Sequence, residues 1–346
     1  MEPITHMLTG ACMSRAGLKS KTALSTVTMV IAAEIADVDL LYSLRGPVAG
    51  FQHHRGWTHS VAAMPLMAAL SVALVWVWYW LLTRKVFNRI APAALDRPRL
   101  PVRWVWLYGY ACLAALSHLL LDYTTSYGIR LFEPFSFKWY SWDIVYMAEP
   151  FMWLVLGVGL TVPRLLVLVY QRTWPYDSKH GAPVGAIFAL MAIVLMWGFR
   201  DYQHRQALAE LNMRPYDERP MRSSAYPYAW NPFVWHGVVE RRDLFETMEV
   251  NTLHDLGCPE HTRAHFKSKE TAVTAAAKGS YLGRVYLDWA KYPIIETTIE
   301  PDSRAAVYHV RFYDLRSIHR LYASVDLDPN LGVVVQRFDR HSPNPK

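Results

Sequence analysis

Residues 60–82, SVAAMPLMAALSVALVWVWYWLL, run without a charged side chain for the length at which a helix crosses the hydrocarbon core of a bilayer. In lipid each backbone N–H and C=O must be satisfied within the segment, so such a run has to be helical. Three further runs satisfy the same length argument: 102–122, with His118 and Asp122 at its far end, 151–170, which contains Pro163 and Arg164, and 182–199. A fifth, weaker candidate at 22–44 is interrupted by Glu34, Asp37 and Asp39, and residues 4–17 form a short helix that pairs with it around LKSK at 18–21. Residues 1–20 lack the continuous apolar core of a cleavable signal peptide, so the first spans are expected to direct insertion.

Beyond residue 200 the pattern changes to charged, aromatic and β-branched residues mixed as in a soluble domain. The predicted fold is an α-helical membrane domain over 1–200, with four clear spans and a short N-terminal helical hairpin. An exit helix and linker follow over 201–224, then a small α+β, mainly antiparallel-sheet, extramembrane domain over 225–346. Its strands are expected in FVWHGVVERR, LFETMEVN, SYLGRVYLDWA, AVYHVRFYDL and GVVVQRF, with a helix at 259–279. The formal charge of +7 does not indicate nucleic acid, because in the first half the basic residues collect in short segments between apolar runs. Cys12, Cys112 and Cys258 lie far apart with no CxxC, which argues against a disulfide framework or a thiolate metal site.

The loop 83–103 carries Arg84, Lys85, Arg89, Arg97, Arg99 and Arg103 against Asp96, so the positive-inside rule makes it cytoplasmic. Alternating from there puts 123–150 and everything after 200 outside the cytoplasm, in a bacterial inner membrane. The same alternation gathers the unusual polar residues at one depth. HHRGWTHS (53–60) enters the first span from outside, His118 and Asp122 leave the next one there, and Glu34, Asp37 and Asp39 lie at the matching end of 22–44. Pairing of 4–17 with 22–37 returns His6 to that level. Ionisable groups at membrane depth are costly and are usually functional or paired.

His118 and Asp122 are spaced i, i+4 and share a helix face; Glu34 and Asp37 do so at i, i+3. Gly56 permits a turn and Thr58 is a suitable N-cap, which lets His54 and His59 approach from loop and helix. Imidazoles mixed with carboxylates suit a divalent transition metal, zinc first with manganese or iron as alternatives, as one or two ions. The expected ligands are His6, Asp37, His54, His59, His118 and Asp122. Such an ion lowers the pKa of a bound water, Asp39 or Glu34 serves as general base, and Arg55 holds an anionic group. His53 is expected to be a solvent-facing bystander. In the outer domain His236, His254, His261 and His265 lack converging carboxylates and are expected to be surface residues.

THMLTGA (5–11), AEIADVDLL (33–41), HHRGWTHS (53–60), SHLLLDYTTSYG (117–128) and WDIVYMAEPF (142–151) occur in an order that resembles the LexA-regulated, membrane-bound metal-dependent hydrolase family (YdjM-like). The resemblance covers most of 1–200. It implies His6, Asp37, Asp39, His54, Arg55, His59, His118 and Asp122 as metal-site residues, and Glu149 as a late acidic ligand or base. Ala36 stands where the family has proline, and Glu149 where it has aspartate. A fainter similarity to zinc-dependent phospholipase C and P1 nuclease proteins, through the His/Asp clusters, points toward phosphoester chemistry. The resulting expectation is a membrane-embedded hydrolase in which a metal-bound water attacks a phosphoester-type lipid or lipid-linked substrate at the outer face. The alternatives are an ion- or proton-coupled transporter using the same cluster, or a membrane anchor for the outer domain.

Overall fold

In the computed structural model the structure describes residues 1–83, 100–170, 178–253, 262–300, 307–316 and 321–339. The helices are α1 (Pro3–Arg15), α2 (Ser25–Ala32), α3 (Pro47–His53), α4 (Met64–Thr83), α5 (Trp104–Tyr123), α6 (Pro150–Tyr170), α7 (Ser178–Met213), α8 (Ala272–Gly279) and α9 (Tyr281–Trp289). The strands are β1 (Arg222–Pro227), β2 (Val234–Glu240), β3 (Leu244–Asn251), β4 (Arg263–Phe266), β5 (Pro293–Glu300), β6 (Val307–Asp314), β7 (Tyr322–Leu327) and β8 (Val333–Asp339). Most of the basic segment 83–103, residues 171–177, His254, His261 and Cys258 lie outside the described residues.

The chain divides into two compact units, Met1–Asp39 with Arg55–Arg200 and Leu40–His54 with Asp201–Lys346. In the first, α2, α4 and α5 meet through Ala32, Ala33, Ala68, Ala111 and Ala114, small side chains that let apolar helices approach closely. Gly10 of α1 crosses α2 so tightly that a Cβ there would stand 2.6 Å from the Met29 carbonyl oxygen. Likewise a Cβ on Gly159 of α6 would meet Ala189 Cβ at 2.6 Å. Among the described residues three helical segments are long and apolar enough to cross a membrane: Met64–Thr83, Trp104–Tyr123 and Pro183–Met213. The fourth expected span forms helix α6, 21 residues long, whose fully described stretch Pro150–Leu166 is apolar. Three of the four expected spans are thereby candidate spans among the described residues.

The weaker span at 22–44 is overturned. Its apolar half forms α2, only 8 residues long, and the chain then tightens into an 11-residue 3-10 run, Ile35–Arg45. Glu34, Asp37 and Asp39 fall at that change. The expected N-terminal hairpin does form, with α1 packed along α2.

The second unit holds two four-stranded antiparallel sheets, in the orders β1-β2-β3-β4 and β5-β6-β7-β8. Trp235, Tyr226, Tyr286, Tyr292 and Phe312 are its largest fully buried side chains. Burying a large apolar side chain contributes roughly 1.5–3 kcal/mol. Helix α3 belongs here too: Phe51 packs edge-on against Trp289, with ring centroids 5.4 Å apart, and against Phe338 at 4.5 Å.

Two element assignments change in this unit. SYLGRVYLDWA is helix α9, not a strand. Ser280 caps it by accepting from the Gly283 N–H, and the buried positions Leu282, Gly283, Tyr286 and Trp289 follow a helical period. The described part of 259–279 is not one helix: Arg263–Phe266 pairs with β3 as an edge strand, and α8 starts only at the Thr271 capping box. Strands β1, β5 and β7 were not expected from the sequence.

Candidate metal centre

Four elements of the first unit deliver polar side chains to one buried point. Helix α1 brings His6, the 3-10 run brings Asp37 and Asp39, a short 3-10 turn at Trp57–His59 brings His59, and the end of α5 brings His118 and Asp122. His6, His59, His118 and Asp122 are fully buried, and Asp37 is half-buried. One ligand atom each from Asp37, His59, His118 and Asp122 lies within 4.8 Å of all the others. His59 Nε2 stands 3.3 Å from Asp37 Oδ1 and 3.3 Å from Asp122 Oδ2, and His118 Nε2 is 3.5 Å from the same Asp122 oxygen.

Both imidazoles are oriented from behind. His118 Nδ1 lies 2.6 Å from the Ala33 carbonyl oxygen, to which it donates, and His59 Nδ1 lies 3.2 Å from Asp39 Oδ2. Partners of this kind fix the tautomer that turns Nε2 toward a metal and make the ligand more basic. Burial works against a charged His59, but Asp122, Asp37 and Asp39 outweigh it and raise its pKa to about 10. The cluster thus favours a positive charge at this point. A proton is its simplest occupant and a divalent ion a stronger one. Two imidazole nitrogens with two carboxylates fit zinc, manganese or iron(II) better than calcium or magnesium.

His6 lies against this group. Its ring stacks on His118 at a centroid distance of 3.9 Å, and its Nε2 is 3.4 Å from Asp122 Oδ1. Neither ring nitrogen of His6, nor Asp122 Oδ2, makes a hydrogen bond among the described residues. The Met1 amino group also rests on Asp122 Oδ1. Arg55 adopts a left-handed backbone, φ 57°, held by its N–H donating to Asp39 Oδ2 at 2.8 Å. Its guanidinium reaches Asp122 Oδ1 at 2.9 Å and donates to Thr125 Oγ1 at 3.0 Å, with the Tyr127 ring beneath it.

The remaining expected residues are placed differently. Asp39 Oδ2 accepts from the Arg55 N–H and from Thr58 Oγ1 while facing His59, and a carboxylate oxygen of Asp39 lies within 4.8 Å of one from Asp37, close enough for the pair to reach a second ion. Glu34 Oε1 is buried without a hydrogen-bond partner among the described residues. Glu149 is not in the cluster: it forms a buried ion pair with Arg200 at 3.0 Å, and burial raises its pKa to about 7 against the pull of that arginine. His54 falls in the second unit as the C-cap of α3. His53, exposed, stacks on Tyr42. In the same unit His236 Nε2 donates to the Leu315 carbonyl oxygen and His265 lies against Thr247.

Thr125, Tyr127 and Arg200 were not anticipated. Thr125 follows Asp122 by three residues, a spacing that could have drawn attention to it, and Arg200 is a lone cation at the end of an apolar run.

A model of the YdjM inner membrane protein family matches residues 1–207, the stretch that contains every residue of this cluster. An uncharacterized protein, YfhP, of Bacillus subtilis (strain 168) is 23% identical over 162 residues, covering 44% of this chain and 43% of the relative. The chain thus matches less than half the length of that relative. No solved structure matches. With three apolar helices and a family match over well over half its length, the chain belongs to the YdjM inner membrane protein family.

Proposed function

We propose that this protein is a membrane-embedded metal-dependent hydrolase acting on a phosphoester-type lipid or lipid-linked substrate. The observation that carries the reading is the convergence of His59, His118, Asp37 and Asp122 beside a buried arginine. A bound divalent metal would supply Lewis-acid polarisation of a phosphoryl oxygen and activation of a water nucleophile. His59, His118, Asp37 and Asp122 would hold it, with His6 within reach of the same Asp122 carboxylate.

Arg55 is suited to an anionic oxygen, because its guanidinium is permanently charged and its Nε has no hydrogen-bond partner among the described residues. Asp39 orients His59 and fixes the Arg55 backbone. Glu34, half-buried with one carboxylate oxygen unbonded among the described residues, is the general base we favour of the two, since Asp39 already accepts from two donors. The basic 83–103 loop supports placing the site and the C-terminal unit at the outer face.

The test is elemental analysis of detergent-purified protein, followed by phosphate or headgroup release from lipid vesicles before and after chelation. Metal in the wild type, its loss in His118→Ala and a chelator-sensitive release support the reading. Absence of transition metal overturns it.

A further inference from the structure

The loop 130–139 carries Phe132, Phe135 and Phe137, which are 47%, 88% and 59% exposed. Three phenylalanines turned outward from one short loop need an apolar environment. The loop is nevertheless well fixed. Ile129 and Tyr140 exchange two backbone hydrogen bonds of 2.9 Å at its stem, and the Phe135 and Ser136 N–H groups both donate to the Phe132 carbonyl oxygen. Tyr140 packs edge-on against Phe132, and Arg130 lies over the Trp139 ring.

Two further bonds locate it. The Val61 N–H donates to the Leu131 carbonyl oxygen at 3.0 Å, just before the membrane helix α4 begins at Met64. The Arg130 N–H donates to the Arg55 carbonyl oxygen at 3.0 Å. The loop is therefore tied on one side to the start of a candidate span and on the other to the arginine of the metal centre. Lys138, exposed beside the phenylalanines, has the charge and reach to meet a lipid phosphate.

We propose that residues 130–139 form a lipid-facing lip that inserts Phe132, Phe135 and Phe137 into the bilayer next to the metal centre, so that the centre takes its substrate from the membrane. Continuity with α4 and the flanking lysine select lipid as the occupant. Delivery of substrate rests on the hydrolase reading above, whereas insertion of the loop does not.

Full-length protein carrying an environment-sensitive fluorescent amino acid at Phe135 would be reconstituted into vesicles of phosphatidylethanolamine and phosphatidylglycerol with brominated acyl chains. Quenching several-fold stronger than for the same probe at Asn330, in an exposed polar turn, is expected. Quenching no stronger than at Asn330 overturns the proposal. So does protection of the probe from both brominated lipid and aqueous iodide, which would mean that protein covers the loop. A Phe135→Ser/Phe137→Ser variant should keep its full metal content, because the loop and not the cluster is altered. Loss of metal is reserved for His118→Ala, so failure of the lip and failure of the hydrolase reading give separate results.

Discussion

His59 and His118 face each other Nε2 to Nε2 across 3.0 Å, although each ring has its other nitrogen held by an oxygen behind it. Two lone pairs at that distance repel unless a cation stands between them or one nitrogen is protonated. Both nitrogens also approach Asp122 Oδ2, so the arrangement is stable only around positive charge. Single alanine substitutions at His59 or His118 should therefore remove most bound transition metal from purified protein, as read by elemental analysis. Retention of wild-type metal content in both variants would sink the cluster as a metal site.

Asp39 acts on the centre through His59. Asp39→Asn should lower metal affinity by about 10–100-fold while leaving the number of ions bound at saturation unchanged. Competition with a chromophoric chelator measures both quantities.

The crossing of α1 over α2 leaves no room for a methyl group at Gly10. Gly10→Ala should push the helices apart and destabilise the protein by about 1–3 kcal/mol. Because α1 carries His6, metal affinity should fall with it. Thermal unfolding in detergent reports the first effect and chelator competition the second.

Removing one partner of the buried Glu149–Arg200 pair strands the other. Arg200→Met is expected to cost about 3–5 kcal/mol, whereas Glu149→Leu/Arg200→Met should recover much of that loss. Equal destabilisation by the single and double variants would show that the two charges are not coupled.

In the second unit burial pulls the pKa of His236 below its ordinary 6.5, with the Leu315 carbonyl working against that shift. The unfolded chain takes up a proton near 6.5 that the folded chain accepts only at lower pH. Stability present above 6.5 is therefore lost as the pH falls through the folded value. Amide protection factors along β2, corrected for the intrinsic exchange rate at each pH, should fall in that direction, and His236→Gln should flatten the dependence.

Much of the site was legible in the sequence because topology and spacing act together. His118 and Asp122 needed only a helix, and HHRGWTHS stood where a long apolar run began. The sequence misread 22–44 because hydropathy averages over the three acids that divert the chain into a 3-10 run. It misread 280–290 because Tyr, Val and Trp favour strands in isolation, while the spacing of Leu282, Tyr286 and Trp289 is helical. The partners of Glu149 and Arg55 were not legible, since contact between residues 149 and 200, or 55 and 125, depends on packing that no local pattern records.

The place of Phe51 among Tyr286, Trp289 and Phe338 sets a limit on how the protein can be cut. A fragment beginning at residue 201 would keep every strand of both sheets and still leave an aromatic socket open to water, because the side chain that fills it comes from far upstream. Such a fragment should expose a sticky surface and self-associate, and adding a peptide of residues 40–54 in trans should restore its solubility.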